Sequence, residues 1–271
     1  MIKLQNYING KQVPPTSEKY LENVCPSTGE NYSLIPDSDK TDVNDAVEAA
    51  RKSFKSWSTI SKQERSDFLM SLADEIEAHS EELVIAESRD NGKPEWLART
   101  VDIPRAPENF RFFATAILHF ESEIHEMDGK AINYTLRQPI GVAGCISPWN
   151  LPLYLLTWKV APAMAAGNTV VAKPSEITPM TAYLFGKICQ KAGLPKGVLN
   201  IVHGTGEKVG DPLTRHPDVP IISFTGGTET GGKIASATAP LFKKLSLEMG
   251  GKNPNIIFSD AKFDHAVDMA V

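Results

Sequence analysis

The sequence predicts an α/β protein built on a parallel β-sheet covered on both faces. Two observations carry this. From Pro139 onward, apolar runs (Ile140–Ser147, Thr169–Ala172, Leu199–Val202, Ile221–Phe224) alternate with helical stretches (Leu153–Ala166, Thr178–Ala192, Thr228–Ala237), the rhythm of strands joined by crossover helices. The strand runs are nearly continuously apolar, as befits strands buried on both sides. The length of 271 residues allows one large or two ordinary domains with a substantial core.

The elements follow in order. Residues 1–40 read as short strands and turns, with Asn9-Gly10 as a hairpin turn and Pro26-Ser-Thr-Gly29 as a second turn. Asp45 to Trp57 sets Val47, Ala50, Phe54 and Trp57 at helical spacing. Ser61-Lys-Gln-Glu64 is a capping box opening a helix whose apolar face holds Phe68, Leu69, Leu72 and Ile76. A further helix from Glu81 stops at Asn91-Gly92. Trp96 to Phe120 is helical in pattern, with a break or restart expected at Pro104 and Pro107. Ile132, Tyr134 and Leu136 alternate as a strand of a projecting hairpin, and after the β-α-β region come an apolar run, Asn255–Phe258, and the first turns of a helix at Phe263–Val271.

Bulk properties narrow the function classes. A net charge of -5 argues against a nucleic-acid partner, which calls for a basic patch or stripe. The longest apolar region, Leu151 to Gly167, carries Lys159, Pro152 and Pro162 and is too short and interrupted to span a bilayer, so no membrane partner is expected. The amino terminus lacks the apolar core of a signal peptide, and Cys25, Cys145 and Cys189, an odd and widely spaced set, fit reduced thiols in the cytoplasm. No cysteine or histidine spacing suggests a metal.

Several motifs then converge at strand ends. Gly204-Thr-Gly206-Glu-Lys-Val-Gly210 approaches a dinucleotide fingerprint but has one residue too many. Gly227 to Lys233 has phosphate-loop spacing, but Ile234 stands where Ser or Thr must reach magnesium. Alone, both are turn glycines at sheet edges. Phe224-Thr225-Gly226-Gly227 is more telling, because it ends a strand just before a helix whose free N–H groups suit a pyrophosphate. Lys173-Pro-Ser175-Glu176 follows another strand. There Lys173 and Glu176 suit ribose hydroxyls, and the carboxylate would repel a 2′-phosphate, favouring NAD over NADP. The plainer reading of that pair is a solvated ion pair. Ser147-Pro148-Trp149-Asn150 closes a strand in an irregular turn, where the Asn150 amide either donates to a developing oxyanion or bonds its own turn. Glu248, before Gly250-Gly251, is either a turn-capping carboxylate or a general base.

Together, and in this order, Pro-Trp-Asn150, Lys173-Pro-Ser-Glu176, Phe224-Thr-Gly and Leu245-Ser-Leu-Glu-Met-Gly-Gly-Lys252 resemble the aldehyde dehydrogenase superfamily, over the whole chain from Tyr7-Ile-Asn-Gly10 to Asn255. Where that family has a Phe-Thr-Gly-Ser turn, this chain has Gly227. The resemblance implies a Rossmann-type NAD-binding domain from residues 1–120 and 139–250, an oligomerisation hairpin at 121–138, and the start of a catalytic domain at 251–271. It implies NAD contacts at Ser147, Pro148, Trp149, Lys173, Ser175, Glu176, Gly206, Gly210 and Phe224 to Gly227, and a homo-oligomer, dimer or tetramer. The reaction it implies is oxidation of an aldehyde to its acid through a cysteine thioester, with Asn150 as oxyanion donor and Glu248 activating water. None of the three cysteines lies in the family's nucleophile context, so the nucleophile is expected beyond Val271. The alternative is an inactive NAD-binding or oligomerising fragment. Ala98 to Arg105 and Asn109 to Phe113 most resemble the branch acting on 2-amino- and 2-hydroxymuconic semialdehydes. That likeness suggests that Arg105, or else Arg99 or Arg111, binds a substrate carboxylate.

Overall fold

In the computed structural model, residues 1–251 and 253–270 are described; Lys252 of the Leu245–Lys252 block and Val271 of the expected terminal helix lie outside them. The chain opens with β1 (Ile2–Lys3), β2 (Asn6–Ile8) and β3 (Lys11–Val13), then β4 (Tyr20–Cys25) and β5 (Glu30–Pro36). The β2–β3 turn is the expected Asn-Gly hairpin, with φ of 51° at Asn9 and 75° at Gly10.

The first helix, α1 (Lys40–Trp57), begins five residues before the expected Asp45. Asp39 caps it, and the Asp42 side chain accepts from the Asp39 N–H, a capping box closed by aspartate rather than the usual Glu or Gln. Next, α2 (Lys62–Ala78) starts at the expected Ser61/Glu64 box, and α3 (Ser80–Asn91) stops at left-handed Gly92. The Trp96–Phe120 stretch departs from expectation. After α4 (Glu95–Leu97), a π-helical turn, Ala98–Asp102, absorbs the irregularity. There α5 (Ile103–Ala116) takes Pro104 in its first turn, where an N–H is dispensable. Pro107 neither breaks nor restarts α5; burial of Ala106, Phe110 and Ala114 among the helices outweighs the lost hydrogen bond.

Two exposed strands, β6 (Ile124–Met127) and β7 (Ala131–Tyr134), form a separate hairpin, and Leu136 falls beyond it. The β-α-β region follows: β8 (Val142–Ile146), α6 (Pro152–Ala165), β9 (Thr169–Lys173), α7 (Met180–Lys191), β10 (Leu199–Ile201), α8 (Asp211–Arg215), β11 (Ile221–Gly226), α9 (Thr228–Thr238), β12 (Lys244–Met249) and α10 (Phe263–Ala270). The expected apolar run Asn255–Phe258 forms no strand, and Ile256, Ile257 and Phe258 are exposed.

The central sheet has seven strands in the order β12-β11-β8-β9-β10-β2-β3. The five from β12 to β10 are parallel, as expected, but the β2–β3 hairpin adds antiparallel strands at one edge, so the sheet is mixed. A smaller sheet pairs β1 with β5 and β5 with β4. Along β8 and β9 the side chains alternate between two cores. Val142, Ile146 and Val171 pack with Val47 of α1, Leu213 of α8 and Ile234 of α9. Ala143, Cys145, Val170 and Ala172 pack with Leu153 of α6, Phe185 of α7, Leu72 of α2 and Phe110 of α5. Helix layers therefore cover both faces, which explains the unbroken apolar strands.

Candidate functional site

A cavity of about 640 Å³ opens at the C-terminal ends of β8, β9 and β11, the usual place for a ligand in such a sheet. The structure gathers there Ser147, Pro148 and Trp149 after β8, Lys173, Ser175 and Glu176 at and after β9, Gly206 and Gly210, and Phe224, Thr225, Gly226 and Gly227 from the end of β11. Sequence reasoning missed the wall facing them: Thr230, Lys233, Ile234 and Ala237, one face of α9 at helical spacing that was there to be read. Asp211 and Thr214 of α8 were also missed. Gly206 and Gly210 do not sit in simple edge turns; they bound a π-helical turn that leads directly into α8.

The cleft is built for an anion at one end. Gly227 is the N-cap of α9 and supplies no side-chain cap, so among the described residues no capping side chain takes the first-turn N–H groups. A Cβ on Gly206, Gly210 or Gly227 would meet nothing within 4 Å, so bare backbone faces open space. Ser147 Oγ is buried and, among the described residues, has no hydrogen-bond partner. A dinucleotide's phosphates and hydroxyls fit these unsatisfied donors and this cradle.

At the end of β9, Lys173, 4% exposed, holds Glu176 at 2.5 Å. Burial lowers the Lys173 ammonium despite the neighbouring carboxylate. Burial would raise Glu176, but the charge of Lys173 and its hydrogen bond more than offset this, and the carboxyl lies below its ordinary value. Glu176 Oε1 also accepts from the Gly206 N–H at 3.4 Å, tying two walls of the cleft together. Beneath lies His203, 1% exposed, pushed down to about 3 by burial and by the Lys173 charge.

Asn150, Glu248 and Arg105 are not among the residues lining the cleft. Exposed Asn150 ends the Ser147–Asn150 loop, and its carbonyl accepts from Lys93 Nζ at 3.0 Å. Glu248 is exposed on β12 and pairs in register with Thr225 of the cleft. Buried Lys159 of α6 donates to Ser223 Oγ at 3.3 Å; burial lowers its ammonium, while Cys145 and Glu248 favour the charged form. Arg105 lies over the Tyr154 ring at 5.3 Å, donates to its hydroxyl at 3.3 Å and pairs with Glu108 at 3.2 Å. Tyr154 is in the first turn of α6, just after Asn150. By contrast, Arg99 pairs with Glu81 and Glu95, and Arg111 with Asp74 and Glu77. Cys25, Cys145 and Cys189 are all buried and none lines the cleft; burial pushes the Cys145 thiol up to about 12.

A sheet with five parallel central strands, helices on both faces and a glycine-lined cleft at its carboxyl edge define a Rossmann-type α/β protein of the dinucleotide-binding kind. A sequence model of the aldehyde dehydrogenase family matches residues 13–271. The chain belongs to the aldehyde dehydrogenase family. It is 55% identical to human 2-aminomuconic semialdehyde dehydrogenase, covering 100% of this chain and 55% of that protein. To 2-hydroxymuconic semialdehyde dehydrogenase of Pseudomonas sp. (strain CF600) it is 46% identical, over 99% of this chain and 56% of the relative. The NAD+ complex of an aldehyde dehydrogenase from Bacillus cereus superposes with a TM-score of 0.93 at 37% identity, covering 98% of this chain and 55% of that one. HpcC from Thermus thermophilus does so with a TM-score of 0.93 at 39% identity, covering 98% and 52%. The chain thus spans about half the length of the relatives it matches.

Proposed function

We propose that this chain provides the NAD-binding half of an aldehyde dehydrogenase that oxidises a carboxylate-bearing semialdehyde to the acid. The observation that carries the reading is the single cleft joining the uncapped start of α9, the glycine cradle and the Lys173–Glu176 pair. When bound, NAD supplies the hydride acceptor. In this reading the free N–H groups of α9 and Gly227 hold its pyrophosphate, Lys173 and Glu176 hold ribose hydroxyls, and Ser147, Pro148 and Trp149 bound the far wall. The Asn150 amide donates to the developing oxyanion, and Glu248, one strand from Thr225, takes the proton of the attacking water. Arg105, beside Tyr154 at the start of α6, receives the substrate carboxylate, and the muconic semialdehyde dehydrogenases among the relatives support that choice. Residues 1–120 and 139–250 are the cofactor domain, the exposed hairpin around β6 and β7 (121–138) the oligomerisation element, and 251–271 the beginning of the catalytic domain.

Burial pushes the Cys145 and Cys189 thiols up, and Cys25, lowered to about 7 by hydrogen bonding to Ser27 and Thr28, ends β4 and does not line the cleft, so a nucleophile other than these three cysteines is favoured. That also gives a second reading, in which the 271 residues bind NAD and assemble without oxidising anything. Calorimetric titration with NAD+, paired with an NADH-formation assay on a semialdehyde, separates the outcomes. NAD+ binding by the 271 residues with turnover only in a longer protein that contains them supports the first reading, binding with turnover in neither supports the second, turnover by the 271 residues alone overturns the placement of the nucleophile, and failure to bind NAD+ sinks both.

A further inference from the structure

The Ser147–Asn150 loop is held from outside the cleft, by the turn that ends α3. Asn91 Nδ2 donates to the Trp149 carbonyl at 2.8 Å, and Lys93 Nζ donates to the Asn150 carbonyl at 3.0 Å. Between them Gly92 has a φ of 80°, and a Cβ there would come within 2.9 Å of Pro26 Cγ, so this tight reversal is fixed by glycine. Ser88 Oγ donates to the Lys93 carbonyl at 2.6 Å, fixing the backbone on the near side. The Lys93 side chain is 8% exposed and forms an ion pair with buried Asp102 of the π-helical turn, while buried Glu87 of α3 stands 3.8 Å from its ammonium. The ammonium has three donors; one goes to Asp102 and another reaches a loop carbonyl of the proposed oxyanion donor.

We propose that Lys93 is a positioning residue for the reaction: anchored by Asp102, it fixes the Asn150 backbone so that the Asn150 amide is held ready at the reacting carbonyl. This rests on the oxyanion reading of Asn150. The loop is irregular and exposed at Trp149 and Asn150, so its geometry depends on such outside contacts. Misplacement of a reacting group by about 1 Å costs on the order of 100-fold in rate.

The test separates holding the loop from holding the fold. Lys93→Met alone leaves Asp102 buried and unpaired, so it should lower Tm. The double variant Lys93→Met/Asp102→Asn removes that unpaired charge and should recover Tm, yet it still lacks the donor to Asn150. In the intact enzyme, the double variant should show roughly tenfold or greater loss of kcat with KM for NAD+ within about twofold of wild type. Hydrogen exchange should accelerate in a peptide covering Ser147–Pro152 and stay unchanged in β9. Recovery of both Tm and wild-type kcat, or unchanged exchange in that peptide, overturns the inference. An inactive wild type sinks the oxyanion reading instead, and that result is distinct from either of the others.

Discussion

Replacing Glu87 by Gln should change how the stability of this protein depends on pH. Glu87 is fully buried on α3, and burial pushes its carboxyl from 4.5 up to about 8, with Lys93 pulling it down and Asp102 pushing it up. A carboxyl raised in this way keeps its proton in the folded chain after the unfolded chain has released it. Its contribution is therefore complete below 4.5 and is lost as the pH rises through about 8. Each pH unit between those two values is worth about 1.4 kcal/mol, so the whole window spans on the order of 5 kcal/mol, comparable to the lower end of a domain's total stability. Asp90, raised to about 6 chiefly by burial, adds a slope of the same sign, so the informative quantity is wild type minus variant. Glu87→Gln keeps the shape of the neutral acid but cannot ionise. Urea denaturation at steps between roughly pH 5 and pH 8 should show the wild type losing about 1.4 kcal/mol per pH unit more than the variant. Parallel curves would show that Glu87 is ionised in the fold and would refute the argument.

Three further outcomes are expected. On the reading that Glu176 meets the ribose hydroxyls, Glu176→Gln removes a carboxylate that would repel a 2′-phosphate, so the ratio of NADP+ to NAD+ dissociation constants, measured by titration, should fall by roughly tenfold. Arg105→Ala in the intact enzyme should raise KM for an anionic aldehyde far more than for a neutral one; equal effects would reduce Arg105 to its surface pairing with Glu108. Gly197→Ala should lower stability by about 2–3 kcal/mol in thermal unfolding, because Gly197 has a φ of 79° and a Cβ there would lie 2.7 Å from the Ala49 carbonyl oxygen.

Much of the fold was legible because its signals are local. The Asn9-Gly10 hairpin, the Ser61/Glu64 capping box and the Gly92 stop all depend on residues within one turn of one another. The departures came where a local signal takes an uncommon form and where a local rule competes with packing. Asp39 and Asp42 moved the start of α1 forward through a capping box without Glu or Gln. Pro107 was carried inside α5 because burial of that helix outweighs one missing hydrogen bond. Among the site residues, the Phe224–Gly227 turn and Lys173–Glu176 were readable because strand ends and helix starts lie next to each other in sequence.

By itself the sequence determined the strand and helix alternation, the parallel core of the sheet and the motifs at its carboxyl edge. Those follow from apolar periodicity and turn chemistry, which a chain carries residue by residue. Only the tertiary structure decided that these motifs face one cleft walled by Thr230, Lys233, Ile234 and Ala237 of α9, and that Arg105 rather than Arg99 or Arg111 borders the start of α6. It alone showed that Asn91 and Lys93, nearly sixty residues upstream, grip the carbonyls of Trp149 and Asn150. The physical reason is distance along the chain. Strand order, register and the docking of α3 are set by burial of whole faces, and a hydrogen bond between remote residues leaves no periodic trace in either of the segments it joins.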